Sequence, residues 1–361
     1  MTRKQAMTVV LLGGLFGSLA SQTANADADV SSTTTTKTIA GKSMVVYTVT
    51  SDGTPFYGDG NSAGFPTWTY THTPAAVSNT YYIPGAPTLA GTAASPVYTP
   101  LGLANSLGVA LDGVPFDPLT STCETTNRSA SNACSFRLEG RLQTDPSTPG
   151  SPYATKRLGF DTHNGHSQSN PNAYHYHAIP CGISWGSGTA AITCNPMASN
   201  SANAWNNLPS TATGVGYARD GYPIVVQKGV YASYSVVTAA ATGRPTTNTT
   251  DTSNALGNFS ADMTTLVTSG TTFTQATLPA NKTLGDFVYT GPSTLGTSTT
   301  ALGLCNEAPN TNPDLKTLGG ETAAYVYYLT PNFPMVPRCL IGVTDGATET
   351  TQGFYHSGGL D

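Results

Sequence analysis

Charge is what this chain has least of. Asp, Glu, Lys and Arg make up 10% of its 361 residues, 15 basic against 20 acidic. So sparse and slightly acidic a charge argues against nucleic acid or an anionic membrane surface as partner. Long apolar runs are lacking as well. The longest, Ala6 to Leu19, is interrupted by glycine and falls short of the about 20 residues a membrane helix needs, so no membrane span is expected. No Cys-x-x-Cys pair is present, which leaves a cysteine zinc site or a thioredoxin-like redox motif without support. No His-Glu-x-x-His string is present either, so a zinc-peptidase helix is excluded and a hydrolase has little to recommend it. Histidine is rare, with six in the whole chain.

What the chain does have is 38 Gly, 25 Pro, 18 Tyr and much Thr, Ser and Asn. This composition suits turns and short strands rather than long helices. The expected fold is mainly β, a sandwich or barrel-like domain of two pseudo-repeated β units with long Thr/Gly-rich loops, the longest over residues 237–300. Strands are predicted at 43–50, 65–74, 79–83, 106–111, 134–140, 173–179, 214–219, 222–227 and 323–330, where β-branched and aromatic residues alternate with small or polar ones.

Residues 1–26 read as a secretory signal: Arg3 and Lys4, the apolar stretch, then Ala24-Asn25-Ala26 as a cleavage site. Export to the periplasm or the extracellular space follows. Removal of two positive charges leaves 13 basic against 20 acidic residues, a net charge near −7. Residues 27–42 are expected to form a disordered Ser/Thr-rich leader, 43–343 the β-rich domain, and 344–361 a peripheral tail. Six cysteines in an exported chain imply disulfides. Their spacing suggests Cys123 with Cys134, Cys181 with Cys194, and Cys305 with Cys339, among the 15 pairings that six cysteines allow.

Two strings echo one another. GVALDGVPF (108–116) and GYARDGYPI (216–224) share Gly, Ala, Asp, Gly and Pro at matching positions. Each carries Asp-Gly between apolar residues, the signature of a type I′ hairpin, and a following Pro that suits a strand start or a sheet edge. Downstream, AYHYHAIP (173–180) is echoed by AYVYYLTP (324–331), keeping both tyrosines and losing both histidines, with Asn164 opposite Asn306. A duplicated β unit, polar in its first copy and apolar in its second, is the economical reading. Asp112 and Asp220 read as turn formers.

Four of the six histidines, His163, His166, His175 and His177, fall within fifteen positions. In a strand, His175 and His177 project to one face and Tyr174 and Tyr176 to the other. His163 and His166, around a turn at Asn164-Gly165, are placed to fold over that strand, and Asp161 to supply an oxygen ligand or a hydrogen bond to an imidazole. Such a nitrogen-rich set suits copper or zinc. The bland reading is a hydrogen-bonded turn packed on a tyrosine-rich strand, the reading that the isolated His72 and His356 receive.

The train NGH, YHYH, GYARDGYPIV and YYLTPNFPMVPRCLIG resembles the YHYH-domain family over residues 78–343. The motif positions are Asn164, Gly165, His166, Tyr174, His175, Tyr176 and His177. The resemblance implies export and architecture rather than a reaction. The function expected is that of an exported metal-binding protein, in metal handling or as a metal-dependent enzyme. The alternative is an extracellular module that binds glycan or protein through exposed aromatics such as Trp68 and Tyr70, with the histidines structural.

Overall fold

A computed structural model describes residues 30–55, 74–101, 105–118, 164–167, 173–180, 208–236 and 287–346. Outside them lie the signal segment, Trp68, Tyr70, His72, His356, Asp161, His163, Cys123, Cys134, Cys181, Cys194, all but the last residue of the strand expected at 65–74, the strand expected at 134–140, and 237–286 of the long loop. The described residues form strands and turns with no helix, and none of them belongs to a helix long and apolar enough to cross a membrane.

β1 (Ser31–Ile39), β2 (Lys42–Ser51) and β3 (Asn79–Pro84) build an antiparallel three-stranded sheet. β1 corrects the expectation of a disordered leader: every residue from Ser31 to Ile39 pairs with β2, from Ser31 opposite Thr50 to Ile39 opposite Lys42. Thr favours extended backbone whether or not its side chain is buried, and Lys37 holds the strand by an ion pair with Asp345 at 2.7 Å and by lying over the Tyr82 ring. Asp345 is buried in that contact, so the tail expected to be peripheral is joined to the sheet at its start.

The larger sheet has eight strands in the order β13-β14-β10-β9-β5-β6-β8-β7 and is not closed into a barrel. They are β5 (Gly108–Ala110), β6 (Pro115–Phe116), β7 (Gly165–Ser167), β8 (Tyr174–Tyr176), β9 (Thr213–Ala218), β10 (Pro223–Val226), β13 (Glu307–Pro309) and β14 (Tyr325–Tyr328). The order is a palindrome of two four-stranded units. β5 pairs antiparallel with β9 about Val109 opposite Tyr217, so that Gly108 faces Ala218 and Ala110 faces Gly216. From that centre each unit repeats the same steps: a hairpin (β5-β6, β9-β10), a parallel neighbour (Phe116 beside Tyr176, Ile224 beside Tyr327), and an antiparallel edge strand (His166 facing His175, Ala308 facing Val326). The pseudo-repeat legible in the sequence is therefore a pseudo-two-fold axis between β5 and β9.

Both hairpins differ from the expected type I′ geometry. Gly113 N–H donates to Ala110 and Gly221 N–H to Ala218, and positive φ occurs at Gly113 (84°) and Gly221 (91°) but at neither aspartate. These are type I turns closed by a glycine bulge, since a type I′ turn needs positive φ at both central residues. The aspartates are freed to reach inward. Asp112 accepts the Tyr176 hydroxyl at 2.8 Å, and Asp220 accepts the Tyr327 hydroxyl at 2.5 Å together with Gly342 N–H at 2.8 Å. Pro115 and Pro223 each start the second strand, as proline must where a ladder donor is missing.

The tyrosine face of both units, with Tyr174, Tyr176 and Tyr327, enters one main core that also takes in β15 (Cys339–Leu340). On the other face, Val49, Tyr81 and Ile83 of the three-stranded sheet cover Val109 at the two-fold centre. The remaining two-stranded sheets are β4 (Thr99–Pro100) with β15, and β11 (Tyr234–Val236) with β12 (Phe287–Tyr289).

Cys305 and Cys339 form the expected disulfide, tying the turn before β13 to β15 across 34 residues. Closing a loop of that length in the unfolded chain stabilises the fold by about 4 kcal/mol. Cys305→Ala/Cys339→Ala is expected to lose that amount in denaturant titration, and an unchanged midpoint would show that the link constrains nothing.

Candidate metal centre

Alternation along β8 is what builds the site. With Tyr174 and Tyr176 committed to the main core and their rings 5.5 Å apart, His175 and His177 are left on the opposite face, rings 4.8 Å apart. β7 adds His166 from the antiparallel position facing His175. His166 therefore stands on a strand and not on the turn. The turn lies at Asn164, the residue before β7, whose φ of 61° and side-chain bond to the Ile179 carbonyl at 2.8 Å close it. Asn164 also accepts His177 N–H at 3.0 Å. Gly165 serves close approach instead of turning: a Cβ there would strike the Tyr174 hydroxyl.

His166, His175 and His177 offer one ligand atom each within 4.8 Å of one another. All three side chains are buried, none more than 4% exposed. His166 Nε2 and His177 Nε2 are 3.1 Å apart. Two nitrogens bound at about 2.0–2.1 Å to one tetrahedral ion stand about 3.3 Å apart, so this pair already has the spacing of two ligands; one tautomer of the pair also makes it a hydrogen bond. The structure thus brings together three of the four clustered histidines, while His163 and Asp161 fall outside the described residues.

Sequence reading missed one residue here. Asp117, the residue after β6, is 1% exposed, donates its N–H to the Tyr176 carbonyl, and carries Oδ2 3.9 Å from His175 Nε2. Phe116 packs against the Tyr176 ring on the core face, so the next side chain along the strand turns to the histidine face. The separation of 108 residues between the echoed strings 108–116 and 216–224 held the signal, because it sets Asp117 against Val225.

That comparison extends to the whole set. By register, His166, His175, His177 and Asp117 of the first unit correspond to Ala308, Val326, Tyr328 and Val225 of the second. Those four residues all belong to one apolar cluster with Ala212, Val230, Leu302 and Leu315. The flanking features are kept in both units: Asn164 and Asn306 both have positive φ, and the latter's carbonyl accepts Tyr328 N–H as the former's accepts His177 N–H. The scaffold is common to both halves and the polar set is confined to one.

Asp112 faces the core at Tyr176, so it serves the scaffold and not the histidine face. Two Gly-x-Ser-x-Gly strings, Gly60–Gly64 and Gly182–Gly186, have the spacing of a hydrolase nucleophile elbow. Both lie outside the described residues, and a pattern that recurs twice in a chain of 38 glycines and abundant serine carries little weight.

No curated protein and no solved structure matches the chain. The family model described as YHYH protein matches residues 80–342, most of the chain, and the protein belongs to that family.

Proposed function

We propose that this is an exported metal-binding protein, holding one copper or zinc ion on His166, His175 and His177 and acting in metal handling or metal-dependent catalysis. The observation that carries it is the placement of three buried imidazoles within ligand distance of one another at positions where the equivalent unit has Ala308, Val326 and Tyr328. Three imidazole nitrogens that converge in this way can bind one cation together. An all-imidazole set suits copper(II) and zinc, with availability deciding between them. Export is supported by the signal-like residues 1–26 and by the Cys305–Cys339 disulfide, which an oxidising compartment permits.

Elemental analysis of protein purified without chelator tests this. Near-stoichiometric copper or zinc is expected, falling at least tenfold in His175→Ala/His177→Ala. Metal absent from the wild type, or unchanged in the variant, would refute it. Among the described residues the exposed large apolar ones are Val45, Val97 and Tyr231; Trp68 and Tyr70, on which the glycan- or protein-binding alternative rests, lie outside them.

A further inference from the structure

The strand most open to a partner is β1. In the three-stranded sheet it has β2 on one side and, among the described residues, no strand on the other. At the far edge β3 is covered, with four of its six side chains buried, whereas residues 31–36 of β1 are all exposed. A long strand edge offers a row of backbone donors and acceptors to any extended chain, and proteins guard such edges with proline, a bulge, shortness or an outward charge. β1 has none of these. Its nine residues, SSTTTTKTI, include no proline, and its pairing with β2 runs without a register shift from Ser31 to Ile39. Its one charge, Lys37, is drawn back over its own chain, to the Asp345 carboxylate at 2.7 Å and the Tyr82 ring at 5.0 Å.

The hairpin fixes which groups face outward. Ala40 and Gly41 both have positive φ, 49° and 77°, the type I′ geometry of a two-residue loop. In such a hairpin Ile39 and Lys42 exchange both backbone bonds, and every second pair behind them does the same. The N–H and C=O groups of Ser32, Thr34, Thr36 and Thr38 are therefore turned away from β2. These four positions are symmetric about Thr35, and that symmetry selects the partner. An antiparallel copy of β1 with its Thr35 opposite Thr35 sets Ser32 opposite Thr38 and Thr34 opposite Thr36, so every outward group finds a mate, about eight bonds in all. The charges agree as well: Lys37 falls opposite Thr33 and not opposite its own copy, so like charges do not meet.

We infer that β1 is a self-association edge, through which two copies of this protein join their three-stranded sheets by an antiparallel β1–β1 ladder centred on Thr35. The interface is isologous, each contact occurring twice about a two-fold, and its facing threonines add side-chain hydrogen bonds across the strands. The histidine centre lies in the other sheet, so this inference and the metal reading stand or fall separately.

Sedimentation velocity of the full chain tests it, together with single-cysteine variants oxidised in air and run on a non-reducing gel. Wild type is expected to dimerise at micromolar concentration. Thr34→Pro is expected to weaken the dimer at least tenfold. It removes an outward donor from the centre of the ladder and leaves the β1–β2 bonds in place, since an edge strand tolerates proline where its N–H faces away from the sheet. Thr35→Cys is expected to yield a covalent dimer, because non-hydrogen-bonded partners across an antiparallel pair stand about 4.5 Å apart at Cα, within disulfide reach. Thr33→Cys, which falls opposite Lys37, is expected to stay uncrosslinked. A wild type that remains monomeric throughout the micromolar range overturns the inference and leaves the edge to an extended segment of another protein. A dimer that Thr34→Pro does not weaken overturns it too, as does crosslinking of Thr33→Cys equal to that of Thr35→Cys. Should Thr34→Pro fail to fold, the cysteine pair decides: crosslinking at 35 and not at 33 supports the inference, and none at 35 overturns it.

Discussion

His166→Ala/His175→Val is expected to leave the metal-free protein at least as stable as wild type, with a gain of about 1–3 kcal/mol, while lowering metal affinity by two orders of magnitude or more. The stability estimate follows from what apolar replacement does for buried polar and charged clusters, where well-packed hydrophobic residues match or exceed them by about 1–4 kcal/mol. The replacement pair is not arbitrary. Ala308 faces Val326 across β13-β14 in the register at which His166 faces His175 across β7-β8, and both are fully buried. The fold has therefore already accepted this pair at this place in its other half. The affinity loss follows from the removal of two of three imidazoles. Equilibrium unfolding in the presence of chelator, followed by metal titration, checks both parts. A loss of more than about 2 kcal/mol in the metal-free variant would mean that the histidines hold the fold by hydrogen bonding, and the bland reading of the cluster would be the right one.

The repeat explains what the sequence disclosed and what it concealed. The division of His175/His177 from Tyr174/Tyr176 was legible because a strand alternates its side chains with a period of two, whatever its partners. The duplication was legible because Asp-Gly turns and paired tyrosines survive in both units, and both survive for a structural reason: each aspartate, turned inward by its glycine bulge, holds a tyrosine hydroxyl of the adjacent parallel strand. Asp117 was concealed because Asp before Pro118 reads as the end of a hairpin, and only the burial of its carboxylate separates it from an ordinary turn former. β1 was concealed because its threonines show no apolar alternation; six of its first six side chains are exposed, and the strand is specified by backbone pairing with β2 rather than by a buried face. The turn type was missed because Asp-Gly serves two- and three-residue loops alike, and the bulged form is distinguished by the sign of φ at the aspartate.

A two-fold centred between β5 and β9 also accounts for where the site sits. Over the centre, the three-stranded sheet covers Val109. The two outer patches of the same sheet face are then equivalent by construction, one filled by Val225, Ala308, Val326 and Tyr328, the other by Asp117, His166, His175 and His177. One patch gives the sheet its apolar packing, and the other places titratable side chains where its counterpart packs Val225, Ala308, Val326 and Tyr328.

The second unit carries its own buried carboxylates, and these set how stability responds to pH. Unfolding in denaturant is expected to require less denaturant at pH 8 than at pH 5, the reverse of the usual gain as carboxylates ionise. Burial pushes Glu307 up to about 7, against the backbone donors Gly296 N–H and Cys305 N–H that favour its anion, and pushes Asp220 up to about 6 against Tyr327 and Gly342. Both values lie above those of the same groups in an unfolded chain, 4.5 and 3.8. Between each pair of values the folded state keeps a proton that the unfolded chain has lost, so stability is full below about pH 4 and is lost as pH rises through 6 and then 7. Each shift corresponds to about 3 kcal/mol over that window. Glu307→Gln is expected to flatten the upper part of the profile, because the neutral amide imposes no ionisation on the core. The measurement is cleanest in the His166→Ala/His175→Val background, where two further ionisable side chains are absent. Stability that rises from pH 5 to pH 8 in that background would show instead that the backbone and tyrosine donors outweigh burial, and that Glu307 and Asp220 are held as anions.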